Sequence, residues 1–192
     1  MRSNPAALFE FEIEHTMIQT LKHLFGLLLL STLVACASYS GSSLKPGVAQ
    51  IGDVLHVMGS PAMRWQNPDG SQQLAYPRGP QGTQTFMAYI MPNGTLQRID
   101  PVLDRDYFKR IQPGYSEAQV LRTIGPPQPN WTVYYKARNE LAWEWRYCDT
   151  TSQLARYNVL FDASTHTVRS TLSLTEDQLG VCGSNGGCWC SG

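Results

Sequence analysis

Charged side chains are few and evenly matched: Lys and Arg number 15, Asp and Glu 15. No basic run is present to meet a phosphate backbone, so nucleic-acid binding is not expected. Histidine is scarce too. Beyond residue 35 only His56 and His166 remain, neither at ligand spacing from another His or a carboxylate. Gly-x-Ser-x-Gly, His-Glu-x-x-His and the lysine of a phosphate loop are all missing. Asp100, Asp104 and Asp106 lack the glycine and terminal Glu of a calcium loop, and read better as a solvated linker and helix cap. Glu140 and Glu144 could be cast as an acid and base pair, but they flank strand residues without a recognisable cleft. The chain therefore reads as a binding protein rather than an enzyme, with no cofactor and no metal.

Only one apolar run is long. Residues 17–36 begin at Met17, carry a short basic start in Lys22 and His23, continue through a leucine-rich stretch, and end Leu33-Val34-Ala35-Cys36. The run is shorter than the roughly 20 apolar residues of a spanning helix and has the order of a secretory signal. Its end resembles the lipobox of bacterial lipoproteins. That resemblance implies cleavage before Cys36, acylation of its thiol, and a signal peptide over 17–35. Glu10, Glu12 and Glu14 suit the positive end of a signal badly, so residues 1–16 are expected to be a mis-assigned extension before a start at Met17. Each buried methylene contributes about 0.8 kcal/mol, so two or three chains hold a protein durably where one does not. In lipoproteins an Asp after the cysteine signals inner-membrane retention. Ala37 and Ser38 follow here, which implies the outer membrane.

Four cysteines remain after Cys36, namely Cys148, Cys182, Cys188 and Cys190. An even number in an exported chain suggests disulfides. A bridge between Cys188 and Cys190 would span a single residue, so Cys148 is expected to pair with one tail cysteine and Cys182 with the other. A Cys-x-Cys redox pair and a metal site are the alternatives.

Residues 36–43 read as a lipidated tether, small and polar after Cys36. A pattern then occurs twice. Leu44-Lys45-Pro46-Gly47, Val54-Leu55, Met58-Gly59-Ser60-Pro61 and Trp65 are matched by Ile111-Gln112-Pro113-Gly114, Val120-Leu121, Ile124-Gly125-Pro126-Pro127 and Trp131. Gly59 to Gly125 and Trp65 to Trp131 share one spacing, the mark of a duplicated unit. In each copy Pro-Gly precedes a short helix. Ser116 is a candidate N-cap in the second, and Gly125 a left-handed helix terminator before two prolines. Strands are expected at 73–76, 85–91 and 95–99 in the first copy. In the second they fall at 132–135, 141–147, 156–161 and 168–174, with a joining helix over 104–110. Trp143, Trp145 and Tyr147 alternate with Glu144 and Arg146, so one sheet face is buried. The fold class is α+β, with helix-plus-antiparallel-sheet units at 44–108 and 109–181 and a Cys/Gly-rich tail over 182–192.

A lipobox, a Pro-Gly turn, a helix ending in Gly-x-Pro and a three-stranded meander resemble the SmpA/OmlA domain of outer-membrane lipoproteins. The doubled unit is similar to the tandem fold of secreted β-lactamase inhibitor proteins. The resemblance implies a lipid anchor in the outer membrane with the body facing the periplasm. It also implies binding to envelope proteins, barrel-assembly components among them, in outer-membrane assembly or envelope integrity. An inhibitor module capping a secreted or periplasmic enzyme is the alternative. Among the aromatics, Tyr134 and Tyr135 are the candidate partner-binding residues: they are adjacent, so they point oppositely, and one of them should be exposed.

Overall fold

The computed structural model describes residues 40–78, 82–183 and 188–190. The leader over 17–35 and the lipidation candidate Cys36 lie outside the described residues. In chain order the elements are α1 (Ile51–Met58), β1 (Met63–Gln66), β2 (Gln72–Pro77), β3 (Thr85–Ile90), β4 (Leu96–Pro101), α2 (Arg105–Phe108), α3 (Glu117–Ile124), β5 (Val133–Tyr135), β6 (Glu140–Cys148), β7 (Leu154–Asp162) and β8 (Thr167–Thr175). They form an α+β fold of two units, each a helix followed by a four-stranded antiparallel sheet. The strand orders are β1-β2-β3-β4 and β5-β6-β7-β8.

The helices begin and end by the same local chemistry. Ser116 caps α3 in a reciprocal box with Gln119, and Gln50 with Asp53 does the same for α1. Gly59 and Gly125 end the two helices with nearly equal backbone angles, φ 78° and ψ −162° or −172°. The sequence pattern suggested a left-handed helical terminator at Gly125. The φ is positive, but ψ is extended, a combination essentially confined to glycine. It turns the chain straight into the following proline segment. Asp104 caps α2 by accepting from the amides of Asp106 and Tyr107.

The first sheet differs from expectation. A fourth strand, β1, pairs Met63 with Ala75 and Trp65 with Gln73, so the meander has four strands rather than three. Its four residues alternate apolar and polar, too short a run to stand out. The sheet is covered on both faces. Val54 and Met58 of α1 pack on Leu74, Tyr76, Ala88 and Ile90. On the reverse face Ala75 and Met87 join Val120 and Ile124 of α3, which in turn rest on Trp143, Trp145, Tyr157 and Phe161 of the second sheet. The layers therefore run α1, first sheet, α3, second sheet.

Polar contacts fix this joint. Gln73 donates to the Arg122 carbonyl at 2.6 Å, Trp145 Nε1 donates to the Gly125 carbonyl at 3.3 Å, and Arg122 donates to Asn67 Oδ1. A Cβ on Gly125 would lie 2.8 Å from Thr85 Cγ2, so the end of α3 abuts the first sheet directly. The expected tether also merges into this body. Gly41 is buried, and a Cβ there would lie 2.7 Å from Ile99 Cδ1 and 2.9 Å from Met58 Sδ. A small residue is used here because α1 and β4 close over it.

Candidate protein-binding face

The second sheet buries one face against α3, while on the other face most side chains of β6 and β7 are half-buried. Trp143, Trp145 and Tyr147 alternate inward, as do Tyr157, Val159 and Phe161 on the neighbouring strand. The intervening residues of β6 and β7 point outward, and there the charges gather. Arg146 grips Glu176 through two bonds of 2.7 Å. Arg156 reaches Glu176 Oε1 at 3.2 Å and Glu144 Oε1 at 2.9 Å. The Arg156 guanidinium lies 4.2 Å from the centre of the Trp131 ring, a cation–π contact. Burial would push the Glu176 carboxyl up, but hydrogen bonds and charge from Arg146 and then Arg156 outweigh it and hold it below its usual value.

Pro126 and Pro127 stop α3 from continuing. A 3₁₀ turn over Pro129–Trp131 then places the Trp131 ring and delivers β5 to the sheet edge. A second such turn, Lys136–Arg138, and Asn139 in the left-handed conformation return the chain into β6. The product is an edge of three exposed side chains, Val133 at 41%, Tyr134 at 54% and Tyr135 at 41%. Tyr134 lies opposite Leu141 and Tyr135 opposite Glu140, so the two tyrosines do point to opposite faces. Both are exposed, however, because β5 has only three residues and is terminal in the sheet. Arg138 stacks 4.3 Å from the Tyr135 ring and pairs with Glu140 at 2.9 Å, while Tyr134 donates to Asn139 Oδ1 at 3.1 Å. Two large aromatics are thus held in place rather than left loose, the condition for a low entropic cost on binding.

The tail cysteines pair as Cys148–Cys190 and Cys182–Cys188. A Cys188–Cys190 redox pair is therefore not what forms, since each sulfur is bonded elsewhere. Leu154 N donates to the Cys188 carbonyl at 2.7 Å and Cys190 N to the Ser152 carbonyl at 2.9 Å, laying the tail against the β6–β7 turn. Trp189 between them is 60% exposed.

The remaining candidates scatter. Asp100 accepts from Arg98 and from the Tyr107 hydroxyl, Asp104 caps α2, and Asp106 pairs with Lys109. Glu140 and Glu144 are each engaged by a different arginine, Arg138 and Arg156. His56 is exposed, in the last turn of α1. His166 lies in the β7–β8 turn, with Nδ1 2.7 Å from Glu117 Oε1. That pair joins residues 49 positions apart, a juxtaposition that spacing could not reveal. Among the described residues no three His, Cys, Asp or Glu side chains gather where one ion could reach them. No described helix is long and apolar enough to cross a membrane.

The arginine–glutamate network was also hidden in the sequence, because Arg146 and Glu176 meet only when β8 returns beside β7. Its one visible trace was the placing of Glu144 and Arg146 between core aromatics. No family model, no curated protein and no solved structure matches the chain.

Proposed function

We propose that this chain is a lipid-anchored outer-membrane lipoprotein of the SmpA/OmlA kind. It would be held at Cys36, face the periplasm, and act as a protein-binding module in outer-membrane assembly or envelope integrity. The observation that carries the binding role is the exposed Val133-Tyr134-Tyr135 edge. Tyrosine dominates interface hot spots, and truncating one at an interface centre typically costs about 2 kcal/mol or more. The neighbouring charge network is internally satisfied, so it can frame such a contact without leaving an unpaired charge. The inhibitor alternative calls for a sheet surface shared by both units. The two sheets are separate here, and the first is covered on both faces.

An affinity capture from cross-linked envelopes, with the anchor intact, tests this reading. Barrel-assembly components should be recovered with the wild type and lost with Tyr134→Ala/Tyr135→Ala. Their absence from wild-type material, or equal recovery with the double variant, would refute it.

A further inference from the structure

The opposite edge of the second sheet has a different character. β8 is a terminal strand of nine residues with no Pro or Lys; the features that blunt an edge, the Arg169 charge and a register shift against Leu160 and Phe161, lie in its first half. Its two ends are already engaged. Val168 bonds Gly114 and Tyr115 through its carbonyl and amide, and at the far end Gln178 accepts from the Thr175 amide while Leu179 donates to its carbonyl.

The middle is open. Glu176 N donates to the Leu154 carbonyl, and partners alternate along an antiparallel pair. The backbone groups of Thr171, Ser173 and Thr175 therefore aim away from β7. Among the described residues, no backbone group outside the sheet bonds Thr171 or Ser173.

Beside this edge lies a groove of about 470 Å³, between β8 and α2. It exists because α2 sits over the two inner strands, with Phe108 stacked 3.9 Å from the Tyr157 ring and edge-on to Tyr147 at 4.9 Å. Over β8 only small hydroxyl side chains rise on that face. Arg105 and Lys109 line the far wall. The wall also holds Asp149, kept ionised by the amides of Thr151 and Gln153, the Thr151 hydroxyl and the Arg105 charge, so the lining carries two cations against one anion. Lys109 pairs with Asp106 across an exposed turn, a weak contact that another carboxylate can displace.

We infer that β8 receives an extended acidic segment of a second polypeptide as an added strand, bonded to Thr171 and Ser173. Residues of that segment opposite Thr171 and Ser173 share their face. Their side chains enter the groove toward Arg105 and Lys109, and carboxylates fit there. The residue between them falls on the other face beside Leu172, which is 37% exposed, and an apolar side chain fits there. The recognised pattern is acid–apolar–acid in an extended backbone. A second copy of this chain is disfavoured by charge: a two-fold pairing of β8 with itself would bring both Arg105–Lys109 walls onto one side of the joined sheet. This inference is independent of the tyrosine edge, which lies on β5.

The test uses the full-length chain in detergent and a seven-residue peptide alternating glutamate and valine, read by amide hydrogen exchange. Saturating peptide should slow exchange at Thr171 and Ser173 and leave Leu172 and Leu174, already bonded to β7, little changed. N-methylating the glutamate amides should abolish the effect, and N-methylating the valine amides should not. Arg105→Glu/Lys109→Glu should weaken binding by about tenfold and flatten its salt dependence. A matched thermal melt would show that this variant folds, and the N-methyl comparison stands without it. The inference is overturned by no binding up to millimolar peptide or by equal effects of the two methylation patterns. It is likewise overturned by protection that rises with protein concentration in the absence of peptide, the sign of self-pairing.

Discussion

Gly125→Ala and Gly59→Ala form a matched pair whose difference measures the joint between the two units. The glycines occupy equivalent places, each ending its helix at φ 78° with extended ψ. Alanine in that region costs about 1–3 kcal/mol from backbone strain alone. At Gly59 nothing lies within 4 Å of the added Cβ, so strain is the whole cost. At Gly125 the same atom meets Thr85 Cγ2 at 2.8 Å, and a buried β-strand residue cannot swing aside. Overpacking of this kind adds about 1–3 kcal/mol. Gly125→Ala should therefore lose about 2–6 kcal/mol, against about 1–3 for Gly59→Ala. Urea unfolding of both variants gives the two values at equal denaturant slope. Thr85→Ser removes the methyl and should return most of the excess in the Gly125 background while changing the Gly59 background little, a double-mutant cycle across the joint. Equal losses for the two alanines, or no rescue by Thr85→Ser, would show that α3 does not bear on the first sheet.

Further outcomes follow from the same contacts. Glu176 is depressed in the folded state, so its contribution is present above its unfolded value near 4.5 and is lost as pH falls through the lower folded value. Glu176→Gln should lower stability at neutral pH and flatten the acid limb of a stability–pH curve, whereas an unchanged limb would assign acid sensitivity elsewhere. Trp145→Ala removes a side chain 2% exposed together with its bond to Gly125, and should cost about 3–5 kcal/mol. Trp189→Ala, mostly in solvent, should stay within about 0.5 kcal/mol of wild type in urea unfolding. Breaking Cys148–Cys190, which spans 42 positions, should cost about 4 kcal/mol, against about 2 for Cys182–Cys188, which spans 6. Serine pairs measured by denaturation test that order, and peptide mapping under non-reducing conditions tests the pairing itself.

What the sequence made legible was local. Pro-Gly turns, the Ser116 cap and the glycine–proline helix ends act within a few residues, and their repetition disclosed two units before any contact was known. The Trp143-Trp145-Tyr147 alternation declared a buried face because the period-two pattern is strong. What stayed hidden depended on partners far along the chain. On β2 the reverse face is Ala75 and Gln73, a small residue and a polar one, which carry little hydrophobic signal until α3 covers them. Both faces of β8 read as mild alternation of Ser, Thr and Leu. Its edge becomes visible only once β7 occupies one side and no described backbone group bonds Thr171 or Ser173 from the other. Tyr134 and Tyr135, adjacent in sequence, point to opposite faces of the sheet. Their joint exposure follows from β5 being a three-residue edge, which only the sheet order shows.

The lipid anchor is the claim on which location and function both rest. Intact-mass and peptide mass spectrometry of the protein purified from native membranes tests it directly. The expected result is a chain beginning at Cys36 that carries a diacylglyceryl thioether and, with it, an acylated amine. A free Cys36 thiol, or a chain still bearing residues 17–35, would contradict the account.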